Sequence, residues 1–128
     1  MDFQVKLYNW QDAGNHVIVM GRGPIDSGAF RMLFERIEAA TQHLNDCKVL
    51  IDLSDSSYLI DGDEIQAFVA RLPLSRWPQG HKIAFVSGPD ISDYHRLFFL
   101  RTELVSRHLS VGVFRNSRVA IDWLAGIF

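Results

Sequence analysis

The sequence predicts an α/β protein in which four helices pack on a five-stranded mixed sheet. The first observation is the apolar run Lys48–Leu53, which carries Asp52 near its end and leads towards an acidic helix start at Asp61. A buried strand that feeds a helix in this way is typical of a parallel sheet. The second observation is that predicted strands alternate with helices of about 10–17 residues, which indicates β-α-β units with right-handed crossovers. We expect a single domain over residues 1–128.

The chain opens with a predicted hairpin, which supplies the antiparallel part of the sheet. Phe3, Val5 and Leu7 alternate with polar residues, as in a half-buried strand. A turn at Asp12–Asn15 separates this segment from a second strand, His16–Gly21.

A first helix and a third strand follow the break at Gly21–Pro24. Asp26 or Ser27 is expected to cap the helix. Its apolar residues recur with the helical period and form one face, consisting of Phe30, Leu33, Phe34, Ile37, Ala40 and Leu44. The strand Lys48–Leu53 comes next, and a polar turn is predicted after it.

The second helix has a well-specified start. Asp61 as the N-cap places Glu64 at the third helical position, as in a capping box, and Ile60 packs with Ile65 as a hydrophobic staple. Pro73 ends the helix, and a loop containing Trp77 and Pro78 follows.

The rest of the chain continues the alternation. Lys82–Ser87 is the fourth strand, and a long third helix runs from Ser92 to about His108. Val111–Phe114 is the fifth strand, and Asn116 or Ser117 caps a final helix.

Several of these segments together resemble STAS domains, and the bacterial SpoIIAA-like branch in particular. The resemblance rests on Lys48–Leu53, Lys82–Val86, Val113–Asn116 and Ala120–Leu124, in this order and spacing, and it extends over about residues 3–124. It implies a STAS-like α/β fold that is related to lipid-binding CRAL-TRIO domains and usually lacks catalysis.

The second helix departs from the family pattern. Anti-sigma factor antagonists of this family carry a phosphorylatable Ser directly after an Asp at the helix start. Asp61 resembles that Asp, but Gly62 follows it, so the usual phosphoacceptor hydroxyl is missing. Ser56 or Ser57, within a segment similar to the family's Asp-Ser-Ser-Gly-Leu, is the alternative phosphosite; the other explanation for both residues is hydrogen bonding within a turn.

Composition and charge restrict the classes of partner. The net charge of −2 includes no overall basic excess, so a nucleic-acid partner is not expected. Residues 1–64 carry a charge of −6 and residues 65–128 a charge of +4, which indicates either an anionic partner for the second half or an uneven surface. Cys47 is the single cysteine, and no run is long enough to span a bilayer, so we expect a cytoplasmic protein.

Candidate polar chemistry is confined to the end of the third strand. Asp52, Asp55, Ser56 and Ser57 are expected near the carboxyl ends of parallel strands, where open α/β sheets bind ligands. They supply too few ligands for a magnesium or calcium site, and the histidines lack zinc spacing. No nucleophile–base pair is evident. We therefore expect no enzyme activity, no metal and no cofactor, with a polar cleft as the remaining possibility.

The third helix contains more apolar residues than one buried face can accommodate. The run Leu97–Leu100 sweeps about 300° of the helix surface. Leu97, Leu100 and Leu104 are expected to point inward, so Phe98 or Phe99 must point elsewhere. The predicted partner or ligand surface consists of Trp77, Tyr94, Arg96, Phe98, Phe99 and Arg101.

Three explanations of the surplus ring remain open. The first is a non-catalytic interaction module that binds a protein partner or itself through the third helix. The alternative is a small apolar-ligand or lipid-binding protein at an anionic membrane surface, in which the third helix and the Trp77 loop gate a pocket. In the third explanation, a neighbouring helix or that loop simply covers the ring.

Overall fold

The computed structural model describes residues 2–10, 14–42, 46–72 and 81–126, with side chains from His16 onward. The order of elements is the predicted one, and the α/β class with four helices is confirmed for this part of the chain. The elements are β1 (Asp2–Trp10), β2 (Gly14–Ile25), α1 (Ser27–Thr41), β3 (Lys48–Tyr58), α2 (Gly62–Arg71), β4 (Lys82–Ser87), α3 (Ile91–Ser106), β5 (Ser110–Phe114) and α4 (Ser117–Leu124).

The strands lie side by side in the order β1-β2-β3-β4-β5. β1 pairs antiparallel with β2, so that Asp2 opposes Arg22 and Trp10 opposes Gly14. Strands β2 to β5 are all parallel to their neighbours. Helices α1, α2 and α3 connect the parallel strands, α4 follows β5, and β5 forms one edge of the sheet.

The sheet carries apolar residues on both faces. Because side chains of a strand alternate, Val49 and Ile51 enter the larger cluster under α1, α2 and α3, while Leu50 enters the smaller cluster under α4. Three helices on one face and one on the other place α3 above β5, at one side of the molecule. Among the described elements, α2 is the neighbouring helix of α3, and no other helix covers the outer surface of α3.

The polar turn predicted after Leu53 is wrong, because β3 continues to Tyr58. β2 also runs past its predicted end to Ile25, and the two extensions pair with each other, with Ile25 opposite Tyr58. A register shift between Met20 and Arg22 accommodates the change of pairing. The missing information is non-local, since the partner strand supplies the hydrogen bonds that keep these polar residues extended.

Side-chain caps begin α1, α2 and α4 as the sequence indicates. Asp26 accepts a hydrogen bond from the Ala29 amide at 2.8 Å, and Asp61 accepts one from the Glu64 amide at 2.9 Å. Asn116 caps α4. Asp90 caps α3, so this helix begins one residue earlier than the expected Ser92. Each cap satisfies amides that the first helical turn leaves unpaired.

Candidate functional site

The third helix rests on the sheet through three leucines. Leu97, Leu100 and Leu104 are buried, as predicted from their helical spacing. The two aromatic residues between them have different environments. Phe98 keeps 46% of its surface exposed, whereas Phe99 is half-buried.

Phe99 is covered by a neighbouring helix, which is one of the outcomes expected from the sequence. Its ring packs against the main core and lies at the start of α2, where a Cβ on Gly62 would be 3.7 Å away from it. This distance is an ordinary van der Waals contact, so the ring packs beside the helix start. Phe99 therefore helps to hold α3 against α2.

Phe98 belongs to an exposed row of apolar side chains that we call the α3 stripe, consisting of Ile91, Phe98 and Val105. Their exposed fractions are 51%, 46% and 40%. Residues seven apart are about two helical turns apart and almost in line, so the stripe follows the helix axis. Sequence reasoning missed Ile91 and Val105, although their seven-residue spacing from Phe98 was the available signal.

A row of cations and rings flanks the stripe. The Arg101 guanidinium carbon lies 5.3 Å from the centre of the Phe98 ring, and the Phe98 and Tyr94 ring centres are 6.3 Å apart. Arg115, which follows β5, extends the row with its guanidinium carbon 6.0 Å from the Tyr94 ring centre. These distances are in the range of cation–π attraction. The sequence did not nominate Arg115, because only the fold brings it to α3.

Main-chain carbonyls fix both arginines of this row. Arg101 donates from Nε to the carbonyl of Val111 at 3.1 Å, and Arg115 donates from Nη2 to the carbonyl of Pro89 at 3.1 Å. A guanidinium has five N–H donors, so each side chain retains donors for another acceptor. The fold thus orients both cations, and each guanidinium group lies over an aromatic ring of α3.

Arg96 has a different role from the other predicted residues of α3. Its Nη1 lies 3.3 Å from the Asp93 carboxylate, and the Arg96 side chain is 43% exposed. Asp93 is buried and also accepts a bond from the Tyr58 amide at 3.4 Å. Arg96 therefore balances a carboxylate that ties α3 to β3. Trp77, the remaining residue of this predicted surface, lies outside the described residues.

The predicted polar cleft residues lie along β3 and point in different directions. Ser54 donates to Asp52 Oδ1 from both its amide and its hydroxyl, at 3.0 and 2.6 Å. Asp55 and Ser57 are exposed, while Ser56 is buried and its hydroxyl has no hydrogen-bond partner among the described residues. Strand alternation explains this distribution. Asp52 is thus hydrogen-bonded to Ser54, and Ser56 points to the opposite face of the sheet from Asp55 and Ser57.

Tyr58 ends this strand in the core. Its hydroxyl is buried, with no hydrogen-bond partner in the part of the chain that the structure describes. Burial raises the pKa of the phenol, with Asp93 and then Asp52 adding to the effect. Loss of a proton would place a charge in an apolar environment beside carboxylates. The phenol accordingly stays protonated and offers no base or nucleophile.

A groove opens between α1 and α2, on a different part of the surface from the α3 stripe. Its volume is about 410 Å³, and Phe34, Phe68 and Leu72 contribute apolar surface to it. The rings of Phe34 and Phe68 lie 5.2 Å apart. A hydrogen bond of 2.7 Å from the Ser27 hydroxyl to Glu64 links the two helices nearby. The sequence placed a gated pocket beside the third helix, whereas this groove is lined by the first and second.

Within the residues that the structure describes, no three His, Cys, Asp or Glu side chains are grouped so that they could hold a metal ion. Among the described helices, none has the length and apolar character that crossing a bilayer requires.

The layering of three helices on one face of a largely parallel sheet and one on the other, after an N-terminal hairpin, defines a SpoIIAA-like α/β fold. A solved structure shares it: an uncharacterised protein of the DUF3478 family with a SpoIIAA-like fold from Shewanella loihica PV-4. The two structures have a TM-score of 0.57 and 14% sequence identity over 95% of this chain and 93% of that one. The predicted SpoIIAA-like fold is thereby confirmed. No family model matches the sequence, and no curated protein does.

Proposed function

We propose that the protein is a non-catalytic, STAS-like interaction module that binds a protein partner or a second copy of itself through α3. The observation that carries this proposal is the exposure of Phe98 within the α3 stripe. Large aromatic side chains are common anchors of protein interfaces, because they bury much surface with few rotatable bonds.

The packing of α3 supports its role as a preformed binding surface. The buried leucines fix the helix on the sheet, and Phe99 fixes it against α2. Carbonyl groups hold Arg101 beside the exposed ring and Arg115 beside Tyr94. A partner therefore meets side chains that are already ordered, which lowers the entropic cost of binding.

The proposed module works without the phosphoserine switch of the anti-sigma factor antagonists that it resembles. Gly62 occupies the first position of α2, directly after the Asp61 cap. Ser56 is buried in β3, so a kinase has poor access to it. Ser57 is exposed, but the proposed module does not require a phosphate there. We place the module in the cytoplasm, since its single, buried cysteine requires no oxidising compartment.

A matched pair of variants tests the proposal. Phe98→Ser removes the exposed ring, and Met32→Ser removes a side chain on α1 that is also 46% exposed. Self-association is measured by sedimentation equilibrium, and partner capture is quantified from extracts of the source organism. We expect Phe98→Ser to abolish the association or capture and Met32→Ser to leave it unchanged.

The proposal fails if both variants behave like the wild-type chain, or if both lose the interaction equally. Phe99→Ser is unsuitable as a test variant, because the Phe99 ring packs on the core. Thermal unfolding of each variant shows whether a loss of binding results from a loss of the folded structure.

The groove between α1 and α2 favours a second candidate function, the binding of a small apolar ligand or lipid with peripheral membrane association. Its volume is within the range of small-molecule sites, and its aromatic surface suits an apolar ligand. Native mass spectrometry of freshly purified protein tests for a bound molecule, and sedimentation with anionic vesicles tests the membrane. Ala67→Trp should fill the groove and remove the extra mass, whereas the exposed Ala70 on α2, changed to Trp, provides the control. A ligand-free mass for the wild-type chain and no sedimentation would eliminate this candidate.

A further inference from the structure

We infer that the partner of the α3 stripe is an acidic amphipathic helix of another protein, a conclusion that rests on the proposed function and specifies its partner. Apolar residues of that helix lie on Ile91, Phe98 and Val105. Its flanking carboxylates lie on Arg101 and Arg115. Helix-in-groove recognition of this type uses apolar anchors at helical spacing.

The length and spacing of the stripe fit a helix. Ile91 and Val105 are fourteen residues apart, which corresponds to about 21 Å along the helix axis. The seven-residue repeat matches the period with which two helices remain in contact when they pack at a shallow angle. Phe98 lies at the midpoint and is the widest of the three side chains, so it supplies the central anchor.

The charges beside the stripe favour an acidic partner. Arg101 is held through Nε, which leaves both terminal nitrogens without a partner among the described residues, in the fork geometry that carboxylates accept. Arg115 is held through a single terminal nitrogen. Tyr94 and Arg101 lie about 40° and 60° around the helix from Phe98, in the same direction. Arg115 lies over the Tyr94 ring, so both guanidinium groups are on one side of the stripe.

The carboxylates of α3 are directed elsewhere. Asp93 is buried and paired with Arg96. Glu103 lies about 140° around the helix from Phe98. Asp90 is engaged with the Ser92 and Asp93 amides at the helix start.

A second copy of the chain matches the apolar stripe but not its charges. A two-fold axis through Phe98 would place Ile91 of one copy opposite Val105 of the other, as a self-complementary interface requires. The same axis would bring both copies of Arg101 and Arg115 into one interface without a carboxylate from the stripe between them. Like charges in such an interface weaken association, so a partner of opposite charge is favoured.

The test selects the partner's charge without assuming its identity. A displayed library presents helices of about 21 residues with leucines at heptad spacing and with Glu, Lys or Gln randomised at the flanking positions. The immobilised full chain selects binders, and counter-selection uses the Phe98→Ser chain. We expect Glu to dominate the flanking positions of the recovered sequences.

The best recovered sequence, as a synthetic peptide, then gives affinities by fluorescence anisotropy. Phe98→Ser should weaken binding at least about ten-fold, as for a central anchor. Arg101→Gln and Arg115→Gln should each weaken it by about three-fold, as for exposed charge pairs. Arg118→Gln on α4 is the control, because this exposed arginine lies outside the row, and it should change nothing. Raising the salt from about 50 to about 500 mM should weaken the wild-type complex and have less effect on the arginine variants.

The alternative outcomes separate this inference from the proposed function. Recovery of Phe98-dependent binders with Lys or without charge preference overturns the acidic partner and keeps the interaction module. Phe98-dependent dimerisation with no recovered binder has the same meaning and identifies a second copy as the occupant. Phe98-dependent binding to anionic vesicles alone overturns the acidic partner and a protein interaction module together. Failure to recover any Phe98-dependent interaction overturns both.

Discussion

An alanine scan of Leu97–Leu100 separates the structural from the interacting surface of α3. These four consecutive residues are nearly equal in hydropathy, yet the structure gives them very different surroundings. Leu97 and Leu100 are each 1% exposed, while Phe98 is 46% exposed and Phe99 is half-buried. The free energy of unfolding should follow this burial and not the size of the side chain that is removed.

The expected magnitudes follow from the exposed fractions. Leu97→Ala and Leu100→Ala each leave a cavity in the core and should cost about 3–5 kcal/mol. Full burial of a phenylalanine is worth about 1.5–3 kcal/mol, and Phe98 buries about half of its surface. Alanine regains about 0.5 kcal/mol in helix propensity, so Phe98→Ala should cost about 1 kcal/mol or less. Phe99→Ala should lie between these values, at about 2 kcal/mol.

Urea unfolding followed by circular dichroism measures these differences, and an unchanged slope with denaturant shows that the same transition is compared. Met32→Ala on α1 is the control for an exposed apolar side chain. A cost for Phe98→Ala equal to that of the two leucines would show that Phe98 is a core residue. The α3 stripe would then have no central anchor, and the proposed function would lose its basis.

Three further predictions concern other parts of the fold. Gly88→Ala should cost about 1–3 kcal/mol in urea unfolding, because its Cβ would lie 2.6 Å from the Ser54 carbonyl oxygen; a neutral result would contradict this close approach. Asp61→Ala should cost about 1 kcal/mol through loss of the α2 cap, and Asp61→Asn much less; equal costs would refute a capping role. Burial lowers the pKa of His81, whose Nδ1 accepts the Cys47 amide at 2.9 Å, so the folded state binds fewer protons than the unfolded state. As the pH drops below about 6.5, the free energy of unfolding should therefore decrease, by at most about 1.4 kcal/mol per pH unit. His81→Asn should lack this component.

Local patterns in the sequence were sufficient to predict most of the fold. The helical spacing of the α3 leucines identified the residues that reach the core. Asp61 is predicted as a cap outright, and Asp26 and Asn116 are each one of two predicted candidates, because an acceptor side chain before an apolar period has few other uses. These signals are local, since the hydrogen bond or the buried face lies within a few residues of its cause.

The extension of β3 was not predictable by the same reasoning. Its second half contains Asp55, Ser56 and Ser57, which favour turns when no partner strand is present. The extension of β2 provides that partner, with Arg22 opposite Asp55 and Ile25 opposite Tyr58. Pairing between segments more than thirty residues apart thus overrides local preference, and neither segment alone contains this information.

The position of the candidate site was only partly contained in the sequence. A count of apolar residues showed that one ring of α3 was surplus, but Phe98 and Phe99 border the buried face on opposite sides. The position of α2 decides between them, because the start of α2 packs beside the ring of Phe99, whereas Phe98 keeps 46% of its surface exposed among the described residues. The role of Arg115 was even less predictable from the sequence, since Arg115 reaches Tyr94 only through the packing of β5 against α3.

The edge of the sheet explains why α3, and not a strand, is the surface to which a partner is assigned. β5 is the last strand, and an edge strand normally presents main-chain groups to which another chain can add. Arg101 donates from Nε to the Val111 carbonyl of β5, so a strand that paired with β5 through this carbonyl would have to displace the guanidinium. The same guanidinium lies over the Phe98 ring, and displacing it would also remove that cation–π contact. One side chain therefore discourages pairing along β5 and at the same time orients a cation beside the exposed ring. Binding on α3 preserves both contacts, whereas strand pairing through the Val111 carbonyl would remove them.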